Sequence, residues 1–219
     1  MVSRVPADPV SSLDRGKIER RRQILDAAKQ VFADAGYHGA SINAIIERAQ
    51  IARGTFYLYF ESKAAVFDSI LDEAMAQLRS RIHRIEVEDP TAAPPQVQLR
   101  NQVVATLGYV VGDRALAELL LQSAHAPEAE ATERLDQFYG EVRRLIVRAL
   151  EQGAAIGLVR KCQPELVAGA LLGMVRGVIE VMMLHPEPDA SSPGPRYTVE
   201  DVVNEVIGVG LRGVLATER

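Results

Sequence analysis

A single cysteine, Cys162, excludes an internal disulfide and any zinc site built on a cysteine pair. Such sparing use fits a reducing compartment, so the expectation is a cytoplasmic protein and an inert loop thiol. Long uncharged apolar runs are also missing. The most apolar stretch, VAGALLGMVRGVIEVMML at 167–184, contains Arg176 and Glu180 and makes a poor membrane span. The first sixteen residues, MVSRVPADPVSSLDRG, lack the apolar core of a secretion signal and read as a disordered arm. The four histidines, His38, His83, His125 and His185, have no ligand partner at metal spacing, and no HExxH is present. No metal and no cofactor are expected. A nucleophile elbow is absent. GVGLRG at 208–213 has the letters of a dinucleotide loop, but a helical pattern runs through it and the chain offers no acidic residue about 20 positions later. Nothing assembles a catalytic constellation, so the chain is not expected to be an enzyme.

Tryptophan is absent too, and only eleven residues are Phe or Tyr. Four of these crowd into one place, IARGTFYLYFESK at 51–63. Charge is concentrated in the same region. The chain carries a net −4, yet residues 15 to 63 hold nine Lys/Arg against five Asp/Glu, a surplus of four. The remainder therefore carries −8. This asymmetry describes a basic module joined to an acidic body.

From Lys17 the apolar periodicity is helical almost throughout. Ile24, Leu25, Ala28, Val31, Phe32 and Ala35 make one face, and Gly36 is placed to end the first helix. Ser41 is a suitable N-cap for a short second helix bearing Ile42, Ile45, Ile46 and Ala49. Ser62 can cap a long helix running inward to about residue 85. After the proline-rich break at 88–96, helices are expected near 96–111, 114–125, 128–157, 164–184 and 198–215. The expected class is all-α, without strands. The arm spans 1–16, a helix-turn-helix unit 17–63 with its motif at 41–60, and a larger helical domain 64–219.

Treated as a helix turning about 100° per residue, 54–63 separates its aromatics onto two faces. Phe56 and Phe60 lie within about 40° of each other and anchor the helix to the two before it. Leu58 points the opposite way, flanked by Tyr57 and Tyr59. An outward leucine between two tyrosines is a poor solvent face and a reasonable groove-reading face. Arg53 stands at the end that enters a groove, where it can pair with guanine, and Lys63 starts the next helix, whose N-terminus attracts phosphate. Two short helices, a tight turn and this exposed face describe a helix-turn-helix.

Residues 18–68, IERRRQILDAAKQVFADAGYHGASINAIIERAQIARGTFYLYFESKAAVFD, resemble the DNA-binding domain of the tetracycline-repressor (TetR/AcrR) family, above all in FADAGYHGAS and GTFYLYFESK. The resemblance implies a homodimeric regulator of palindromic operator DNA, usually a repressor, released by a small molecule. It puts Ser41 and Lys63 on phosphates, and Arg53, Gly54, Thr55, Tyr57, Leu58 and Tyr59 at the major groove. An activator or ligand-independent regulator on the same scaffold, or an all-helical enzyme, are the alternatives. One departure lies in the turn. The family usually carries Gly, a small apolar residue and Ser or Thr, where this chain has Gln50-Ile51-Ala52. A left-handed Gln50 carries a steric cost, and Ala52 cannot cap the recognition helix.

In the body, Tyr109, Gln122, His125, Phe138, Tyr139, Arg143 and Met174 are the candidate effector contacts. Gly169, Gly173 and Gly177 recur every four residues on one strip of the 164–184 helix, together with Arg176 and Glu180. Interior glycines weaken a helix by about 0.5–1 kcal/mol each. Close approach of another helix would account for them, and the family resemblance implies a dimer interface on the last two long helices, so the strip is expected to lie in it, with Arg176 of one subunit meeting Glu180 of the other; the alternative is an intrahelical Arg176–Glu180 pair on a solvated face.

Overall fold

The computed structural model describes residues 12–121, 129–184 and 197–214. Among them every regular element is helical: α1 (Ser12–Gly39), α2 (Ile42–Ala49), α3 (Arg53–Tyr57), α4 (Lys63–Arg79), α5 (Pro95–Gly112), α6 (Arg114–Leu121), α7 (Ala129–Ala155), α8 (Pro164–Leu184) and α9 (Val199–Val214). The chain divides into two compact units, residues 1–70 and 71–219. The division falls inside α4, seven residues later than the expected boundary at 63/64.

The first unit is organised by a small aromatic core. Ile24, Phe32, Ile45, Phe56 and Val66 are completely or almost completely buried, drawn from α1 to α4. Phe32, Tyr37 and Phe67 pack ring against ring, the Tyr37–Phe67 centroids 4.8 Å apart. The helical path of α1 breaks at Gly36, whose φ of 70° lies in the left-handed region that only glycine enters freely. That turn brings Tyr37 into the core and leaves Ala35 exposed, against the expectation of an apolar face through Ala35. α1 also begins at Ser12, so the last five residues of the expected arm are helical.

α4 is capped at its start as expected: Ser62 Oγ accepts from the Ala65 amide at 3.1 Å. It ends at Arg79, about six residues short of the expected limit. Glutamines of α5 hold the segment that follows. The His83 amide donates to Gln102 Oε1, and Gln98 exchanges hydrogen bonds with the backbone of Glu86. Backbone groups given side-chain partners in this way have no need of a helix.

The second unit has two apolar clusters. One joins Leu107 and Val111 of α5, Ala117 of α6, Ile179 of α8 and Val202 and Val206 of α9. The other joins Leu150, Val159 and Ala168 around the α7–α8 turn. Gly210 marks the close approach of α9 to α8, because a Cβ there would stand 3.0 Å from Met174 Cε and 3.3 Å from Leu171 Cδ2. α9 opens with a capping box: Thr198 Oγ1 accepts from the Asp201 amide while Asp201 Oδ2 accepts from Thr198 N and Oγ1.

The hydroxyl and then the amide of Thr198 hold the Asp201 carboxyl below the usual carboxylate range. A depressed pKa stabilises the fold above the unfolded value of about 4 and loses that contribution as pH falls through the folded value. Asp201→Ala should therefore melt earlier than wild type at pH 6, with the gap closing below about pH 4. Circular-dichroism melts across that range check it; a gap independent of pH would rule out the carboxylate as its source.

Candidate nucleic-acid interface and ligand cavity

α2 is capped by Ser41, whose Oγ accepts from the Ala44 amide at 3.1 Å. It is closed after Ala49 by Gln50, with φ 51° and ψ 47°, the left-handed turn whose cost the sequence signalled. Ala52 then precedes α3 and offers no side-chain cap, also as expected. α3 is short, five residues, yet its hydrogen bonding continues: Tyr59 and Phe60 both donate to the Phe56 carbonyl at 3.0 Å. The two faces of the run therefore survive beyond the helix itself. Phe56 and Phe60 are buried, their centroids 6.1 Å apart, while Leu58 is 82% exposed and Tyr57 46%. Tyr59 is half-buried.

Arg53 lies on the exposed side. Its guanidinium stands 5.9 Å from the Tyr57 ring centroid and donates to Asn43 Oδ1 at 3.4 Å, contacts that hold it at the mouth of the outward face. Ser41 and Gly54 are exposed and Thr55 is half-buried. Lys63, the expected phosphate contact, also has a partner within the chain. It is half-buried, its Nζ donates to the Tyr37 carbonyl at 2.7 Å and sits 4.2 Å from the Tyr37 ring centroid. Lys63 thus ties the end of α1 to the start of α4, and any phosphate must share its ammonium with that tie.

The second unit encloses a cavity of about 260 Å³ between α5, α7, α8 and α9, reached from α4 by Leu78. Its walls are mostly aliphatic. Of the candidate effector contacts, Phe138, Tyr139 and Met174 line it. Tyr109 and Arg143 do not. Tyr109 lies under the Arg81 guanidinium at 4.5 Å, and Arg143 is exposed, paired with Glu165 at 3.8 Å. Gln122 and His125 lie outside the described residues. Three polar residues of the wall escaped the candidate set, Gln102, Thr106 and Arg176. A lone cation inside an apolar helical stretch was the available signal for Arg176.

The glycine strip divides. A Cβ added at Gly169, Gly173 or Gly177 meets nothing within 4 Å, so among the described residues this face of α8 is uncovered. Leu166 and Val181 are exposed apolar residues on the same side of the helix. Arg176 leaves the strip. Its Nε is 3.6 Å from Glu180 Oε1 on its own helix and its Nη2 donates to the Leu121 carbonyl at 3.4 Å. Within the protomer Arg176 and Glu180 form an i, i+4 pair, and the long side chain reaches from the edge of the strip to the cavity wall.

Two family profiles match this architecture unit by unit. "Bacterial regulatory proteins, tetR family" covers residues 24–78, the helix-turn-helix with its buried Phe pair, and "Tetracyclin repressor-like, C-terminal domain" covers residues 92–180. The chain belongs to the tetR family. As a member it is a DNA-binding transcriptional regulator. Among its relatives, the fatty acid metabolism regulator protein of Bacillus subtilis (strain 168) is 27% identical over 64% of this chain and 70% of that one. The transcriptional repressor DhaR of Mycobacterium sp. (strain GP1) is 27% identical over 73% and 80%. The fold is shared with the regulator FadR from Bacillus subtilis in complex with stearoyl-CoA, at a TM-score of 0.68 and 22% identity, covering 88% of this chain and 98% of that one. Among the described residues of this tetR-family chain, no helix is long and apolar enough to cross a membrane.

Proposed function

We propose that this tetR-family chain is a cytoplasmic, non-enzymatic repressor that binds an inverted-repeat operator as a homodimer and is released by an apolar effector. The observation that carries the DNA reading is the division of 56–60, with two phenylalanines buried and Tyr57 and Leu58 turned to solvent beside Arg53. Two such heads on a two-fold axis require two inverted half-sites. The uncovered glycine face of α8 supports the dimer, since exposed apolar strips mark association surfaces. A mostly aliphatic cavity with few polar groups is a small-molecule site. Repressor and fatty acid metabolism regulator, the names of two relatives, favour release by a molecule with an acyl chain. α4 is the means of coupling: it gives Phe67 to the core of the first unit and Leu78 to the cavity of the second. Ligand and DNA would each weaken the other's binding by the same factor.

Mobility-shift titration against the DNA flanking its own gene tests this. Tyr57→Ala and Arg53→Ala should each weaken specific binding by about 1–3 kcal/mol if they read bases. A folded Tyr57→Ala chain that shifts its operator as well as wild type would show that the outward face is not the reading face.

A further inference from the structure

The cavity has one charged group among its described lining residues, Arg176. The other polar side chains of the wall each have a partner close at hand. Thr106 Oγ1 donates to the Gln102 carbonyl at 2.7 Å, Gln102 Oε1 accepts from the His83 amide at 3.0 Å, and Tyr139 Oη donates to the Leu120 carbonyl at 2.6 Å. Arg176 is held more loosely. Its side chain is 34% exposed, and its two contacts are long, 3.4 Å to the Leu121 carbonyl and 3.6 Å to a Glu180 carboxylate that is itself half exposed. A guanidinium carries five donors in a planar fork, more than these two contacts use. In an aliphatic wall its charge is the strongest polar feature a ligand would meet.

We infer that Arg176 reads the head group of the effector, and that the ligand is an apolar chain ending in an anionic oxygen group such as a carboxylate. This rests on the reading of the cavity as the effector site. The apolar chain lies against the aliphatic walls of α5 and α7. The head draws the Arg176 fork inward, and Glu180 is released to solvent. A charge-assisted, bidentate contact of this kind outweighs the two it replaces. The inference runs against what an aliphatic cavity alone would select. Without a cation the walls favour an alcohol over a carboxylate of equal chain length, because the carboxylate loses far more hydration.

Titration calorimetry at neutral pH, with decanoate and 1-decanol as probes, separates these cases; the chain has no tryptophan for a fluorescence readout. The full-length protein should bind decanoate at least tenfold more tightly than decanol. Arg176→Met keeps the side-chain length and removes the charge, and should reverse or abolish that preference while leaving decanol affinity within about twofold. Arg176→Lys should restore part of it, through charge without the fork. If Arg176→Met melts much earlier than wild type, Arg176→Gln reads the same difference. A decanoate preference that survives both neutral variants, or a wild type that favours decanol, overturns the role of Arg176 and leaves the cavity as an apolar site. Binding of neither probe overturns the cavity reading itself.

Discussion

Phe56→Ala is expected to destabilise the DNA-binding unit by about 3–5 kcal/mol, the usual cost of deleting a fully buried phenyl ring. Phe56 is fully buried and touches the rings of Tyr57 and Phe60. It also receives the Tyr59 and Phe60 amides on its carbonyl, so the short α3 and the turn after it are organised around this residue. Domains have only about 5–15 kcal/mol of total stability. The variant should therefore lose operator binding through unfolding of residues 1–70 while the second unit keeps its helix content. Leu58→Ala is the control. Leu58 is exposed, so its removal should change stability by no more than about 0.5 kcal/mol. It should nonetheless weaken operator binding. Chemical denaturation followed by circular dichroism, with mobility shifts on the same samples, distinguishes an anchor from a reader. Equal destabilisation by the two variants would overturn the division of the run into a buried and an outward face.

That division was legible in the sequence because it depends only on spacing. A four-residue separation places Phe56 and Phe60 on one side even where the helix gives way to a turn, since the i, i+4 backbone bond persists at Phe60. The strain at Gln50 and the missing cap at Ala52 were legible for a similar reason: each is a property of one residue type at one position. Other features depended on where the chain turns or on partners some twenty residues away. α4 stops at Arg79 because Gln98 and Gln102, some twenty residues on, take over the backbone. Ala35 is exposed because Gly36 redirects the chain and Tyr37 takes the inward place. Arg143 and Tyr109 were candidates by residue type alone, and the ion pair with Glu165 and the stacking on Arg81 occupy them elsewhere. Arg176 shows the limit of a helical wheel: the angle locates its Cβ, whereas its guanidinium, several bonds further out, is found on the cavity wall.

Gly173→Leu is expected to convert the dimer to monomers and abolish operator binding. Setting Gly169 at 0°, Gly173 and Gly177 fall near 40° and 80°, Leu166 near 60° and Val181 near 120°. These residues form one arc of α8 in which glycine alternates with exposed aliphatic side chains. Arg176 lies at its edge, near 340°. Glu180, near 20° and exposed, keeps one carboxylate in the arc, which otherwise offers glycine and aliphatic surface for the close approach of another helix. Among the described residues an added Cβ at Gly173 meets nothing within 4 Å, so leucine there leaves their packing intact. It should even raise helix propensity, by up to about 1 kcal/mol relative to glycine. Gly210→Leu makes the opposite case. Its Cβ would press on Met174 and Leu171, and it should destabilise the protomer itself by about 1–3 kcal/mol. Sedimentation equilibrium on the two variants, with thermal melts, separates association from folding. A Gly173→Leu chain that sediments as a dimer with full operator affinity would place the interface elsewhere and leave the α8 glycines as tolerated residues on a solvated face.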